Sequence, residues 1–177
     1  MRHCCGELVD VRRAAASTRR GGRRGLGRVG GVHPEFTRGV PDGVPPVLPL
    51  PSIAQALDAF RRAGCHGTNW FQIIGADAGT RLPECPGPGP CVDVGGMDLG
   101  EVSVYAAGQT SSLPAVAAEA PMAWASFRKP DPAAVVRAVC ALSALAGPQL
   151  VFDVSAEVLF VVWPGEQPDG LVGEWPW

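Results

Sequence analysis

Apolar residues recur at helical spacing in residues 132–146, which contain no helix breaker after their first position. Asp131 is a residue type that caps helix starts, and a proline follows it at the position where a missing N–H costs nothing. Gly147 can take the left-handed conformation that ends a helix. The pattern therefore predicts a mostly buried helix with a wide apolar face that includes Val135, Val139 and Leu142.

Residues 52–63 predict a second, amphipathic helix. Ser52 and Gln55 match the capping box, in which the two residues satisfy each other's backbone N–H groups. Gly64 follows the last turn and can close the helix. The apolar stripe has the spacing i, i+4, i+7 and consists of Ile53, Leu57 and Phe60.

Residues 158–163 are an unbroken apolar run without a charge. Because polar residues do not alternate with apolar ones, we expect a strand covered on both faces, in the middle of its sheet. Shorter β-prone runs predict further strands at 69–74, 123–127 and 150–152. Within 123–127 only one of Trp124 and Phe127 can point inward. The remaining elements are less regular: a hairpin of 91–94 with 101–105, a short helix at 114–119, a loop at 75–90 and turns at 164–177.

These elements predict an α+β fold. We expect a single mixed or antiparallel sheet of about five or six strands, with the helices 52–63 and 132–146 packed on one face. Residues 47–177 would form this single globular domain. Residues 1–46 are rich in Arg, Gly and Pro without sustained periodicity, so we expect a leader that does not pack. A mis-assigned start or a disordered basic tail explains it best; a targeting segment and a nucleic-acid-binding arm are the alternatives.

Charge is divided unevenly along the chain. Residues 1–28 carry eight arginines against two acidic residues, whereas the remainder has seven basic and fifteen acidic residues, a net charge of −8. Phosphate binding needs a positive footprint, so we expect the folded body to bind no nucleic acid and to suit a basic protein partner. No apolar stretch approaches the length of a membrane span, and we expect a cytoplasmic protein. Fourteen arginines against the single Lys129 indicate a GC-rich bacterial genome.

Cysteine and histidine are the candidate metal ligands. Cys65, His66, Cys85 and Cys91 are residue types that zinc accepts in a tetrahedral site, but their spacing does not match the usual paired ligands. The thiols are free, bridged as Cys85–Cys91 or metal-bound, and free thiols are the expected state. We expect no metal and no cofactor. The glycines of residues 25–30 match a dinucleotide-binding string, yet an Arg-rich run precedes them and no helix start follows.

No catalytic signature is recognisable in the chain. A Cys65 or Cys85 nucleophile with His66 as the base would make a thiol enzyme. Carboxylates between residues 65 and 105, among them Asp93, offer a second route to catalysis, although turn formation explains their clustering. A small enzyme is therefore the alternative function.

The leading hypothesis is a non-catalytic protein-interaction module. Candidate partner-binding residues are Trp175, Trp177, Asp98 and Glu101, although a tryptophan near a chain end more often docks on its own core. In size, acidity and α+β character the chain is loosely similar to small bacterial immunity proteins, which neutralise toxins by binding them. No motif carries this similarity, and no residue role follows from it. An immunity-type inhibitor of a basic partner is what the similarity implies.

Overall fold

The computed structural model describes residues 8–13, 48–75, 80–84, 97–109, 115–153 and 159–175, with the backbone alone for 8–13. The described chain forms eight strands and three helices. In order, the elements are β1 (Leu8–Arg13), α1 (Ile53–Arg62), β2 (His66–Asn69), β3 (Gln72–Ile74), β4 (Asp98–Ala106), β5 (Ala115–Ala117), β6 (Met122–Arg128), α2 (Pro132–Ala146), β7 (Gln149–Asp153), β8 (Leu159–Val162) and α3 (Pro168–Val172). None of the described helices is long and apolar enough to cross a lipid bilayer.

Both main helices form where the sequence predicts them. The capping box of α1 is complete: the N–H of Gln55 donates to Ser52 Oγ (3.2 Å), and the N–H of Ser52 donates to Gln55 Oε1 (2.8 Å). In α2 the backbone of Gly147 has a φ of 85° and ends the helix as expected. The expected cap by Asp131 is wrong in one respect, because its side chain makes no capping hydrogen bond. Its N–H instead donates to the carbonyl of Asp98 (2.7 Å).

The strands are divided between two sheets. Six of them form a mixed sheet in the order β2-β4-β6-β1-β7-β8, in which β2 is parallel to β4 and every other pair is antiparallel. The other two, β3 and β5, form a separate parallel pair. The α+β class is confirmed, but the single sheet is wrong. The strand expected over 69–74 is interrupted at Trp70 and Phe71, where Phe71 turns into the core.

The two main helices cover the same face of the six-stranded sheet, which we call the inner face. α1 contacts α2, and α2 contacts β4, β7 and β8. The ring of Phe60 on α1 meets Phe127 on β6 edge-on, with centroids 5.9 Å apart. Phe127 is fully buried, whereas Trp124 lies on the opposite, outer face and stacks on Tyr105 with centroids 3.5 Å apart. The expectation that only one of the two aromatic residues of β6 points inward is confirmed.

The position of β8 differs from the expectation that residues 158–163 form a central strand covered on both faces. Among the described residues the strand pairs with β7 alone, so it is the last strand of the described sheet and not a central one. Its inner side chains, Phe160 and Val162, are buried, but Leu159 is 49% exposed. In β8, an apolar run without alternation therefore corresponds to a strand with one face packed under helices and the other face partly exposed to solvent.

β1 occupies the position that the sequence analysis gave to 158–163. It lies between β6 and β7, and its register places Val9 opposite Phe127 and Val11 opposite Val151. These six residues fall within the range expected to be an unpacked leader, so the structure differs from the expectation there. The remainder of 1–46 lies outside the described residues.

Two further expectations are corrected, and a third falls partly outside the described residues. Residues 115–117 form β5 where a short helix was expected, because Val116 is buried and the segment pairs with β3. β4 pairs with β2 and β6, whereas 91–94, its expected hairpin partner, lies outside the described residues. Residues 164–177, expected as turns, contain α3, whose Leu171 is buried against the core.

Candidate functional site

The Cys65 thiol is part of the core. The residue is 1% exposed, and its Sγ contacts the carbonyl oxygen of Ala134 at the start of α2, 3.6 Å away. Burial raises the pKa of the Cys65 thiol from 9.0 to about 11, and the more distant charge of Arg137 lowers it only in part. A nucleophilic cysteine needs the opposite shift, because the thiolate is the reactive form. The thiol enzyme hypothesis is therefore not supported at Cys65.

His66 does not act as a partner for that thiol. Its N–H donates to the carbonyl of Met97 (3.1 Å), which places the residue at the start of β2 beside β4. The imidazole is buried, and its Nε2 has no hydrogen-bond partner within the part of the chain that the structure describes. Cys65 and His66 therefore share no hydrogen bond of the kind that activates a cysteine.

Of the other cysteines considered above, the structure describes Cys140 but not Cys85 or Cys91. Cys85 and Cys91 lie outside the described residues, so their part in a metal site or disulfide stays a prediction. Cys140 is a buried free thiol on α2 with its pKa raised to about 11, chiefly by burial. Across the described ranges no three His, Cys, Asp or Glu side chains lie close enough to hold a metal ion.

The acidic candidates have structural partners. Asp98 accepts a hydrogen bond from the N–H of Gly100 (2.8 Å) and so supports a turn at the start of β4. Glu101 forms an ion pair with Arg128 on the neighbouring strand β6 (2.9 Å). Asp93 lies outside the described residues.

The chain-end tryptophans were candidates for partner contact. Trp175 is half-buried and packs edge-on against Phe160 of β8, with ring centroids 5.2 Å apart. This is the docking on the protein's own core that the sequence analysis considered more common for such residues. Trp177 lies outside the described residues.

A cleft lies between the start of α1 and the end of α2, beside Gln149. Leu50, Met122 and Leu142 line it, and its volume is about 10 Å³. That is room for about one water molecule, whereas small-molecule sites usually measure at least about 300 Å³. The cleft therefore offers no space for a substrate.

Trp70 is the most prominent aromatic group on the described surface. Its side chain is 56% exposed. Its backbone is nevertheless fixed, because its N–H donates to the carbonyl of Val102 in β4 (2.8 Å). The structure thus presents an exposed indole on a backbone that is hydrogen-bonded to β4.

Two carboxylates lie beside the residues that precede Trp70. The side chain of Asn69, the preceding residue, lies 3.5 Å from Glu84 Oε1, and the register of β2 with β4 places Thr68 beside Glu101. We call Thr68, Trp70, Glu84 and Glu101 the Trp70 surface. Glu101 is already paired with Arg128, so the local excess of negative charge is small.

The sequence analysis did not single out Trp70. The available signal was its neighbour Phe71, because two consecutive aromatic residues in an extended segment cannot both face one core. Phe71 is 5% exposed and takes the buried position, which leaves Trp70 outside. Comparison with protein-family models, with characterised proteins and with solved structures finds no match to the chain.

Proposed function

We propose that this protein is a non-catalytic interaction module that binds a basic protein partner through the Trp70 surface. The observation that carries the proposal is the exposed indole of Trp70 on a backbone held by the Val102 carbonyl. Tryptophan is among the residue types that contribute most to binding energy at protein interfaces. The candidate thiol at Cys65 gives no comparable support to an enzyme, because it is buried and protonated at neutral pH.

The net charge of the chain beyond residue 28 supports a basic partner. With seven basic against fifteen acidic residues, this body attracts cations over a range longer than any single contact. The attraction would accelerate encounter, while Trp70 would provide most of the short-range affinity. An inhibitor of the immunity type, which neutralises a basic protein by covering its surface, is a form of this function that fits the size and acidity of the chain.

We further propose that the protein acts in the cytoplasm of a bacterium with a GC-rich genome. The excess of arginine over lysine supports the genome, and the two described cysteines, Cys65 and Cys140, are free thiols of the kind common in reducing compartments. Cell fractionation with an antibody against the protein tests this location. Recovery in the periplasmic or culture fraction would contradict it.

Site-specific photo-crosslinking in cells tests the binding surface. A photoreactive phenylalanine analogue replaces Trp70 in one variant and Val172 in a control, since Val172 is also exposed but lies on α3. We expect position 70, and not position 172, to yield one crosslinked protein of basic composition. Crosslinking of that basic protein equally from both positions, or an acidic product from position 70, would contradict the proposal.

The purified partner then allows a quantitative test. Trp70→Ala should weaken binding by about 30-fold, the loss typical of an aromatic anchor, and Val172→Ala should leave the affinity unchanged. Because the attraction is electrostatic, binding should also weaken as salt rises. Full affinity in the Trp70→Ala variant would remove Trp70 from the interface.

A further inference from the structure

The outer edge of β8 is unpaired in the described structure. β8 hydrogen-bonds to β7 on one side only, and no turn or loop hydrogen bond among the described residues reaches its backbone on the other side. In a strand, peptide groups point alternately to the two sides, so an edge strand presents a row of free donors and acceptors. Such a row is a template for pairing with another strand.

β8 also lacks the features that usually prevent edge pairing. Residues 158–163 contain no charge and no proline, and the pairing of β8 with β7 runs through four consecutive residue pairs without a register shift. Lysines, prolines and bulges are the common means of protecting an edge. Their absence from this run leaves a straight, apolar strand open to addition.

An exposed apolar side chain lies on the same strand. Leu159 is 49% exposed and lies on the outer face of β8, on the side of the sheet opposite to α2. The other large apolar residues exposed in the described part of the chain lie elsewhere: Leu145 on α2, Val172 on α3, Trp70 after β2 and Ile74 on β3 of the two-stranded sheet.

A second copy of β8 is complementary to this edge. In an antiparallel pair related by a two-fold axis perpendicular to the sheet, Leu159 and Val161 of each copy stay on the outer face, and Phe160 and Val162 stay on the inner face. Because the run is uncharged, self-pairing brings no like charges opposite each other. We propose that two copies of this chain associate through antiparallel pairing of their β8 strands, which joins the two six-stranded sheets into one.

The acidic C-terminal part gives this dimer a distinctive response to salt. Residues 159–175 contain Glu166, Asp169 and Glu174 and no basic residue. Two copies meeting at β8 bring these carboxylates closer together, so added salt should screen their repulsion and tighten the dimer. A complex with a basic partner responds in the opposite direction. The two proposals can therefore fail independently.

Sedimentation equilibrium of the full chain tests the dimer. Over about 5 to 500 µM, the wild type should pass from monomer to dimer, because four-residue strand pairing with a few apolar contacts is a small interface. Leu159→Lys should weaken association by at least about tenfold by placing a charge on the edge. Thr68→Lys places the same charge on the opposite edge strand, β2, and should leave association unchanged.

Three outcomes would overturn the proposal. The first is a wild-type protein that remains monomeric up to the highest concentration. The second is a dimer that Leu159→Lys does not weaken, and the third is a dimer that Thr68→Lys weakens equally, since either places the interface elsewhere. Circular dichroism of both variants confirms folding. Should Leu159→Lys fail to fold, Leu159→Gln, which retains most of the side-chain volume without charge, takes its place and should still weaken the dimer.

Discussion

The two edges of the six-stranded sheet are built differently. At β2 the chain covers its own edge: the N–H of Gly67 donates to the carbonyl of Pro83 (3.0 Å), and the Asn69 side chain exchanges two hydrogen bonds with the backbone of Leu82 (3.0 and 3.1 Å). At β8 no described residue does so. One edge is therefore completed within the molecule, while the other retains its capacity to pair.

The difference shows what each edge requires of the sequence. β2 is short and irregular, with a register shift between His66 and Thr68, and its cover depends on one amide side chain. β8 is regular and apolar, and only its inner face is satisfied by packing. A polar, distorted edge can be closed by a loop segment such as 80–84, whereas a straight apolar edge is best closed by another strand.

The largest predicted effect concerns the close approach of β4, the neighbour of β2, to the end of β6. Gly100 has a φ of +65°, and a Cβ there would press on the backbone oxygens of Arg128 and Lys129, the latter at 2.8 Å. Gly100→Ala should lower the free energy of unfolding by about 3 kcal/mol, through backbone strain together with overpacking. Urea denaturation measures this effect.

Gly64→Ala is the matched control for this substitution. Gly64 also has a positive φ (+83°), but nothing lies within 4 Å of its Cβ position, so the variant should lose only the conformational part, about 1 kcal/mol. Equal losses in the two variants would show that crowding by the backbone of Arg128 and Lys129 adds nothing to the cost at Gly100.

The next effect is a pH dependence at the buried start of β2. Because burial raises the pKa of Cys65 from 9.0 to about 11, the folded state retains the thiol proton at pH values where the unfolded chain loses it. The associated stability is complete below pH 9 and is lost as pH rises towards 11. Its size is on the order of 2 kcal/mol.

Cys65→Ala should therefore flatten the decline of stability between pH 9 and pH 11. Cys140→Ala provides the comparison, because burial raises the pKa of that thiol to about 11 as well, and it should flatten the decline to a similar degree. Urea unfolding at several pH values measures both slopes. If the Cys65→Ala slope matched that of the wild type, the thiol at the start of β2 would be accessible to water.

A smaller effect is expected from uncovering the β2 edge. Asn69→Ala removes both hydrogen bonds to Leu82 and should cost about 1 to 2 kcal/mol of stability. The amide of Gly67 should exchange faster with solvent once the 80–84 segment loosens. Thr68→Ala, a substitution at an exposed neighbouring residue, should change neither quantity. An unchanged Gly67 exchange rate in Asn69→Ala would show that Asn69 does not hold the cover.

The smallest predicted effect is on the stability of the monomer when charge is added to either edge. Leu159→Lys and Thr68→Lys both replace exposed side chains, so each should change the free energy of unfolding by no more than about 0.5 kcal/mol at low protein concentration. Thermal denaturation of dilute samples measures it. A loss of several kcal/mol in Leu159→Lys alone would mean that Leu159 packs within its own chain.

Local signals were enough to predict both helices. The capping box of Ser52 with Gln55 and the glycine at 147 act within a few residues, and the structure contains both. The positions of the strands could not be read in the same way, because strand order depends on contacts far apart in the sequence. β1 is six residues long and ends in two arginines, so its pattern did not separate it from the Arg-rich segment that follows.

Residues 158–163 were wrongly expected at the centre of the sheet because β1 was not predicted as a strand. With β1 inserted between β6 and β7, the centre of the sheet is filled by a segment more than a hundred residues away, and β8 becomes the last strand. The candidate site residues could likewise be predicted from the sequence only where the signal is local. Trp70 could have been inferred from its pairing with Phe71, whereas the burial of Cys65 against Ala134 depends on how α2 crosses the sheet.

Hydrogen exchange at both edges, measured over a range of protein concentrations, tests the contrast most directly. The Gly67 amide should be protected at every concentration, because its partner Pro83 belongs to the same chain. The outward amides of β8 should exchange rapidly in dilute solution and become protected as concentration rises into the range of the dimer. Protection of β8 that is complete and independent of concentration would contradict the account.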